Sequence, residues 1–129
     1  MPKFINPPTV MKPTAGFSQG VIHGANARRL ILSGQVGTKI DGTLQEGIKA
    51  QTEQVFDNIY ALIEAAGMKP TDLVKIVTYT TVPEEIGAIR EVRQRRLNGH
   101  EPASTFVVVP RLANPNYLIE IEGEAISEA

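Results

Sequence analysis

The chain has 129 residues, 42% of them hydrophobic and 21% charged, with a formal net charge of −1. This suits one soluble domain, residues 1–129, built around a single core. The near-neutral charge offers no field for nucleic acid or anionic lipid. The lack of cysteine removes disulfides and thiolate chemistry, and no apolar run approaches the roughly 20 residues of a membrane span.

Residues 1–16 carry Pro2, Pro7, Pro8 and Pro13 and read as an extended arm, too broken for the apolar stretch of a signal peptide. The expectation is a cytoplasmic protein. GVIHG (20–24) and RRLILSG (28–34) are short apolar runs separated by Ala-Asn-Ala, the pattern of a hairpin. Thr43 and Glu46 then have the spacing of a capping box. Behind them Ile48, Thr52, Val55, Ile59, Leu62, Ile63 and Ala66 recur at helical intervals, and Gly67 supplies a C-terminal cap.

LVKIVTYTT (73–81) is rich in β-branched residues and predicts a strand. Thr81 with Glu84 offers a second capping box, with Pro83 in the first turn. Ile86, Ile89, Arg93 and Leu97 share one stripe of the helix that follows. An arginine on an apolar stripe points inward or to a partner. ASTFVVV (103–109) and NYLIEIEGEAI (116–126) close the chain as two strands. The order is β-β-α-β-α-β-β, an α+β fold with two helices on one face of a mixed sheet.

Strands joined through helices imply parallel pairing by crossovers. Two helices cover one face of a five- or six-stranded sheet. The other face also carries apolar and β-branched residues, so it needs a cover, and a second copy of the chain is the simplest one. Clefts between copies would then receive small ligands.

Four features of the sequence bear on chemistry. GFSQG (16–20) matches G-x-S-x-G, but the nucleophile elbow needs a strand before it and a helix after it. Here a proline-rich arm precedes it and an apolar strand-like run follows. The two histidines, His23 and His100, have no metal-ligand spacing. Arg90, Arg93, Arg95 and Arg96 form a basic cluster without interleaved aromatics, so bases have no stacking platform and nucleic acid is not an expected partner. Glu120 and Glu122 alternate with Ile119 and Ile121. Their face looks either into water or into a site that uses a carboxylate.

Taken together, SGQVG (33–37), IEAAGM (63–68), LVKIVTYTT (73–81), PAST (102–105) and LIEIEGEAI (118–126) resemble the Rid family, the YjgF-like reactive-intermediate deaminases. The resemblance spans about residues 15–127. It implies a chorismate-mutase-like fold assembled as a homotrimer, with a small-molecule ligand in clefts between subunits. It also implies hydrolysis of 2-imino or 2-enamino acids without a cofactor. By the same resemblance Glu120 would be the water-handling carboxylate. Gly34 would line the cleft, Phe106 would contact the ligand through its backbone, and Phe17 would stand in place of a tyrosine. Deaminating members usually carry P-A-R-S where this chain has Pro102-Ala103-Ser104-Thr105. Ser104 offers a hydroxyl in place of the carboxylate-gripping arginine, and Arg90 is placed where it could supply the missing cation. A binding protein without catalysis, and the endoribonuclease label of some relatives, are the alternative readings.

Overall fold

A computed structural model describes residues 2–14 and 16–128. Strands β1 (Lys3–Ile5) and β2 (Gly20–Ile22) precede β3 (Arg28–Val36) and helix α1 (Ile48–Ala65). Strand β4 (Leu73–Thr80), helix α2 (Ile86–Leu97), β5 (Ala103–Val108) and β6 (Ile119–Ser127) follow. The main sheet has the order β3-β6-β4-β5. β6 lies antiparallel to both β3 and β4, whereas β4 and β5 are parallel neighbours. The expected crossover pairing therefore holds for β4 and β5 around α2. β3 runs in the same direction as β4, but β6 is inserted between them.

The sheet is four-stranded, not five- or six-stranded, because the two short early strands form their own sheet. The hairpin expected between residues 20–24 and 28–34 does not form. β2 instead pairs with β1, so part of the arm is a strand. β3 joins the main sheet because Leu32 is buried in the core and Leu30 packs against it. Burying them there stabilises more than local pairing with a three-residue strand could.

The core lies between the sheet and both helices. Val55, Phe56, Ile59 and Ile63 of α1, Ile89 and Val92 of α2, and Ile76, Ile119 and Ile121 of the sheet are essentially inaccessible. The stripe on α1 is shifted slightly from the expected one: Leu62 is exposed, whereas Phe56 and Gln51 are buried. Gln51 is buried because it is a latch. Its amide nitrogen donates to the carbonyls of Gln45 and Asn116, both at 3.1 Å, and its oxygen accepts from the Leu118 N–H at 2.9 Å.

Neither capping box forms. α1 starts at Ile48 after Gly47, with no side-chain cap, and Asp41 Oδ1 instead accepts from the Thr43 N–H at 2.9 Å. Pro83–Glu85 is a 3-10 turn, so α2 begins later than Thr81 could cap. The C-terminus of α1 follows expectation. Gly67 has φ 72°, its N–H donates to Glu64, and the Met68 N–H donates to Ile63, which is a Schellman closure. The last strand starts at Ile119, later than residue 116, because Asn114 holds a turn by accepting from the N–H groups of Asn116 and Tyr117.

Among the described residues, no helix lies on the second face of the main sheet. Ile31 there is 66% exposed, and Val77, Tyr79, Thr105 and Val107 are half-buried or exposed. Among the described residues, no helix is long and apolar enough to cross a membrane.

Candidate functional site

On that open face Glu120 pairs directly with Tyr79 of β4, and Tyr79 with Val107 of β5. On its other side Glu120 pairs with Val36 of β3, next to an irregularity between Leu32 and Gln35. Gly34 sits in that irregularity. A Cβ built there would lie 2.8 Å from the Glu120 carboxyl carbon, and closer still to Oε2. The carboxylate therefore rests on the bare backbone of Gly34, and any larger residue would push it away. Gly34 and Glu120, far apart in sequence, are brought together. Close by, the Tyr79 hydroxyl donates to Glu122 Oε1 at 2.8 Å. That bond, with the negative charge of Glu122 and Glu120 beside it, raises the phenol pKa above its ordinary value.

Ser104 lies on the opposite side of the sheet. It pairs with Ile76, a fully buried core residue, which pairs in turn with Gly123. Phe106, paired with Thr78, shares that side and packs against the core. Directly paired residues share a face, and successive residues along a strand switch faces. Within one chain, then, Ser104 and Phe106 face the helices and Glu120 faces away from them.

The start of β5 is tied to the N-terminal segment. Ser18 forms a parallel bridge with Ala103, and its N–H donates to the Pro102 carbonyl at 3.1 Å. Its buried hydroxyl donates to the Glu101 carbonyl at 2.6 Å. Ser18 is thus a structural tie and not a nucleophile on an elbow. The same tie holds Phe17, half-buried, next to the beginning of β5.

α2 brings an arginine to Ser104. Arg93 is 7% exposed, its Nη1 donates to Ser104 Oγ at 3.4 Å, and its Nη2 donates to the Gly16 carbonyl at 3.3 Å. Both bonds are long and therefore weak. Burial, and then the nearby charge of Arg90, lower the Arg93 pKa; arginine nonetheless stays cationic in proteins. Arg90 is exposed on the same helix and, with Arg93, Gln94 and Leu97, lines a cavity of about 320 Å³ closed by Thr14, Gly16 and the loop 99–101.

The basic cluster thus divides in two. Arg95 binds Glu53, and Arg96 binds Glu53 and Asp57 on α1. Among the described residues no carboxylate pairs with Arg90 or Arg93. Arg93 was absent from the expected site residues, although its place on an apolar stripe was the available signal. Arg90 does reach the cavity, but Arg93 is the arginine that contacts Ser104.

The comparisons with known proteins fit this fold. Residues 8–127 match the family model described as endoribonuclease L-PSP. A RutC family protein of Pyrococcus horikoshii is 34% identical over 91% of this chain and 91% of its own length. The 2-iminobutanoate/2-iminopropanoate deaminase of Salmonella typhimurium is 30% identical over 95% of this chain and 91% of its own. The crystal structure of a Rid-family protein of unknown function from Yersinia pestis superposes with a TM-score of 0.85 at 37% identity, covering 96% of this chain and 97% of the other. With the chain matched almost from end to end, it belongs to the endoribonuclease L-PSP family, whose members carry the names RutC, YjgF and Rid.

Proposed function

We propose that the protein hydrolyses the C=N bond of a small imine, or of the enamine in equilibrium with it, in clefts between copies of the chain. The observation that carries this reading is the Glu120 carboxylate, held against Gly34 on a sheet face without a helix. The names of the deaminases from Salmonella typhimurium and Dermatophagoides farinae supply the reaction class.

The chemistry needs one group that can accept and return a proton. Glu120 takes a proton from water as the oxygen attacks the imine carbon, giving a carbinolamine. That proton goes to nitrogen to complete the carbinolamine; Glu120 then takes the carbinolamine hydroxyl proton and passes it to the amine as the C–N bond breaks, so that a carbonyl compound and ammonia leave. Atoms balance as imine plus water, and no cofactor is consumed. Because Glu120 and Ser104 lie on opposite sides of one sheet, a single cleft uses Glu120 from one copy and the Ser104 region from another. A homotrimer in the cytoplasm is the assembly this reading adopts.

The second reading is a binding protein of the same fold. It draws on Ser104, which brings no charge of its own to the strand. RNA cleavage has less support, since Arg95 and Arg96 are engaged with α1. The test is to generate 2-iminobutanoate enzymatically and follow its decay. Wild type should accelerate the decay, and Glu120→Gln should lose about 100-fold or more of that acceleration. No acceleration by wild type would favour the binding protein, and full activity in Glu120→Gln would remove Glu120 from the mechanism.

A further inference from the structure

The strand position at 104 carries no cation, yet a cation stands beside it. Arg93 is more than nine-tenths buried, and its protein partners are two long bonds to neutral oxygens, Ser104 Oγ and the Gly16 carbonyl. A guanidinium has five N–H donors, so most of its capacity is unspent. Burying an arginine without a counter-charge is costly. Arg90 opens onto the same 320 Å³ cavity and also has no carboxylate partner among the described residues. The other two arginines of α2 are both neutralised by α1, so the lack of pairing is local to this cavity.

Glu101 is the carboxylate in the cavity lining. It is exposed on the loop beside Gly16 and makes no ion pair with either arginine. His100 directs Nε2 to the Leu73 carbonyl at 2.6 Å, so that nitrogen is already engaged.

We propose that Arg93 and Arg90 form a receptor for a small dianion, either a short dicarboxylate with both its carboxylates or the phosphate of a phosphate monoester, next to Ser104. Two like charges on one cavity repel each other. A monocarboxylate neutralises one of them, whereas a dianion neutralises both and gives each guanidinium a charge-assisted bond. The anion site stands on the cavity itself. It rests on the proposed function only in making the bound molecule an imine that carries a second acidic group.

The test is titration calorimetry of the intact protein at fixed ionic strength, with succinate, inorganic phosphate and propionate as probes. Succinate or phosphate should bind at least tenfold more tightly than propionate. Arg90→Gln, a change on an exposed side chain, should remove about tenfold of dianion affinity and change propionate little. Arg93→Lys should keep the fold and weaken both dianions. A preference for succinate assigns a dicarboxylate, and a preference for phosphate assigns a phosphate monoester. Equal affinity for all three probes, or unchanged dianion binding in Arg90→Gln, overturns the proposal. No imine is present in this measurement, so its outcome is independent of the decay assay.

Discussion

Gly34 has no side chain, and that absence decides where Glu120 sits. Its backbone is outside the left-handed region, so alanine suits it conformationally. The three atoms nearest to the added Cβ all belong to the flexible Glu120 side chain. Gly34→Ala should therefore fold with a melting temperature within a few degrees of wild type. It should lose imine hydrolysis by about 100-fold, the order of cost that a displacement near 1 Å carries. Circular dichroism with the decay assay checks both. A folded Gly34→Ala protein with full activity would mean that the contact has no role. At this scale the sequence was informative about residue types and silent about their meeting. Glu120 stood out as a carboxylate alternating with isoleucines, but its contact with Gly34 depends on a register irregularity that no pattern marks. Arg93 stood out as a charge on an apolar stripe, but its contact with Ser104 depends on how α2 lies across β5.

The two helices are joined by a polar clamp above a shared apolar seam. Arg96 pairs with Glu53 and Asp57, lies near the rings of Phe56 and Tyr60, and accepts the Tyr60 hydroxyl on its carbonyl at 2.8 Å. The hydrogen bond from Arg95 foremost, and that from Arg96, lower the Glu53 pKa below its ordinary value against the opposing effect of burial. A depressed carboxylate pKa contributes stability above the unfolded pKa and loses it as pH falls through the folded one. The clamp is partly exposed, so solvent screens it and the contribution is about 0.5–1 kcal/mol. Glu53→Gln should therefore melt below wild type at pH 7, and the gap should close as pH falls below about 4. A gap independent of pH would contradict this. Helix positions and long strands were legible from periodicity, because burial against a sheet repeats at fixed intervals. The helix starts differ from the expected ones because the capping pattern at Thr43 and Thr81 competes with turns formed by Asp41 and Pro83. The short strands pair with each other and not in the expected hairpin, since three residues carry too little pattern to name a partner.

At the scale of the whole molecule, the sheet has one face closed by helices and one face without a helical cover. The open face combines apolar Ile31, Val77 and Val107 with the row Glu120, Glu122 and Glu124, whose last member is paired with Arg29. The mixed fold with two helices on one side was readable from the order of elements, and the solved Rid-family structure shares it. Assembly is a different matter, since one chain's pattern says that a face needs covering but not how copies meet. The opposed placement of Glu120 and Ser104 sharpens the point. A cleft that uses both requires two copies, and the proposed chemistry stands or falls with that association. Light scattering in dilute buffer measures it directly. The account predicts a folded particle near three times the 14.0 kDa chain mass. A well-folded, monodisperse species at 14.0 kDa would contradict it.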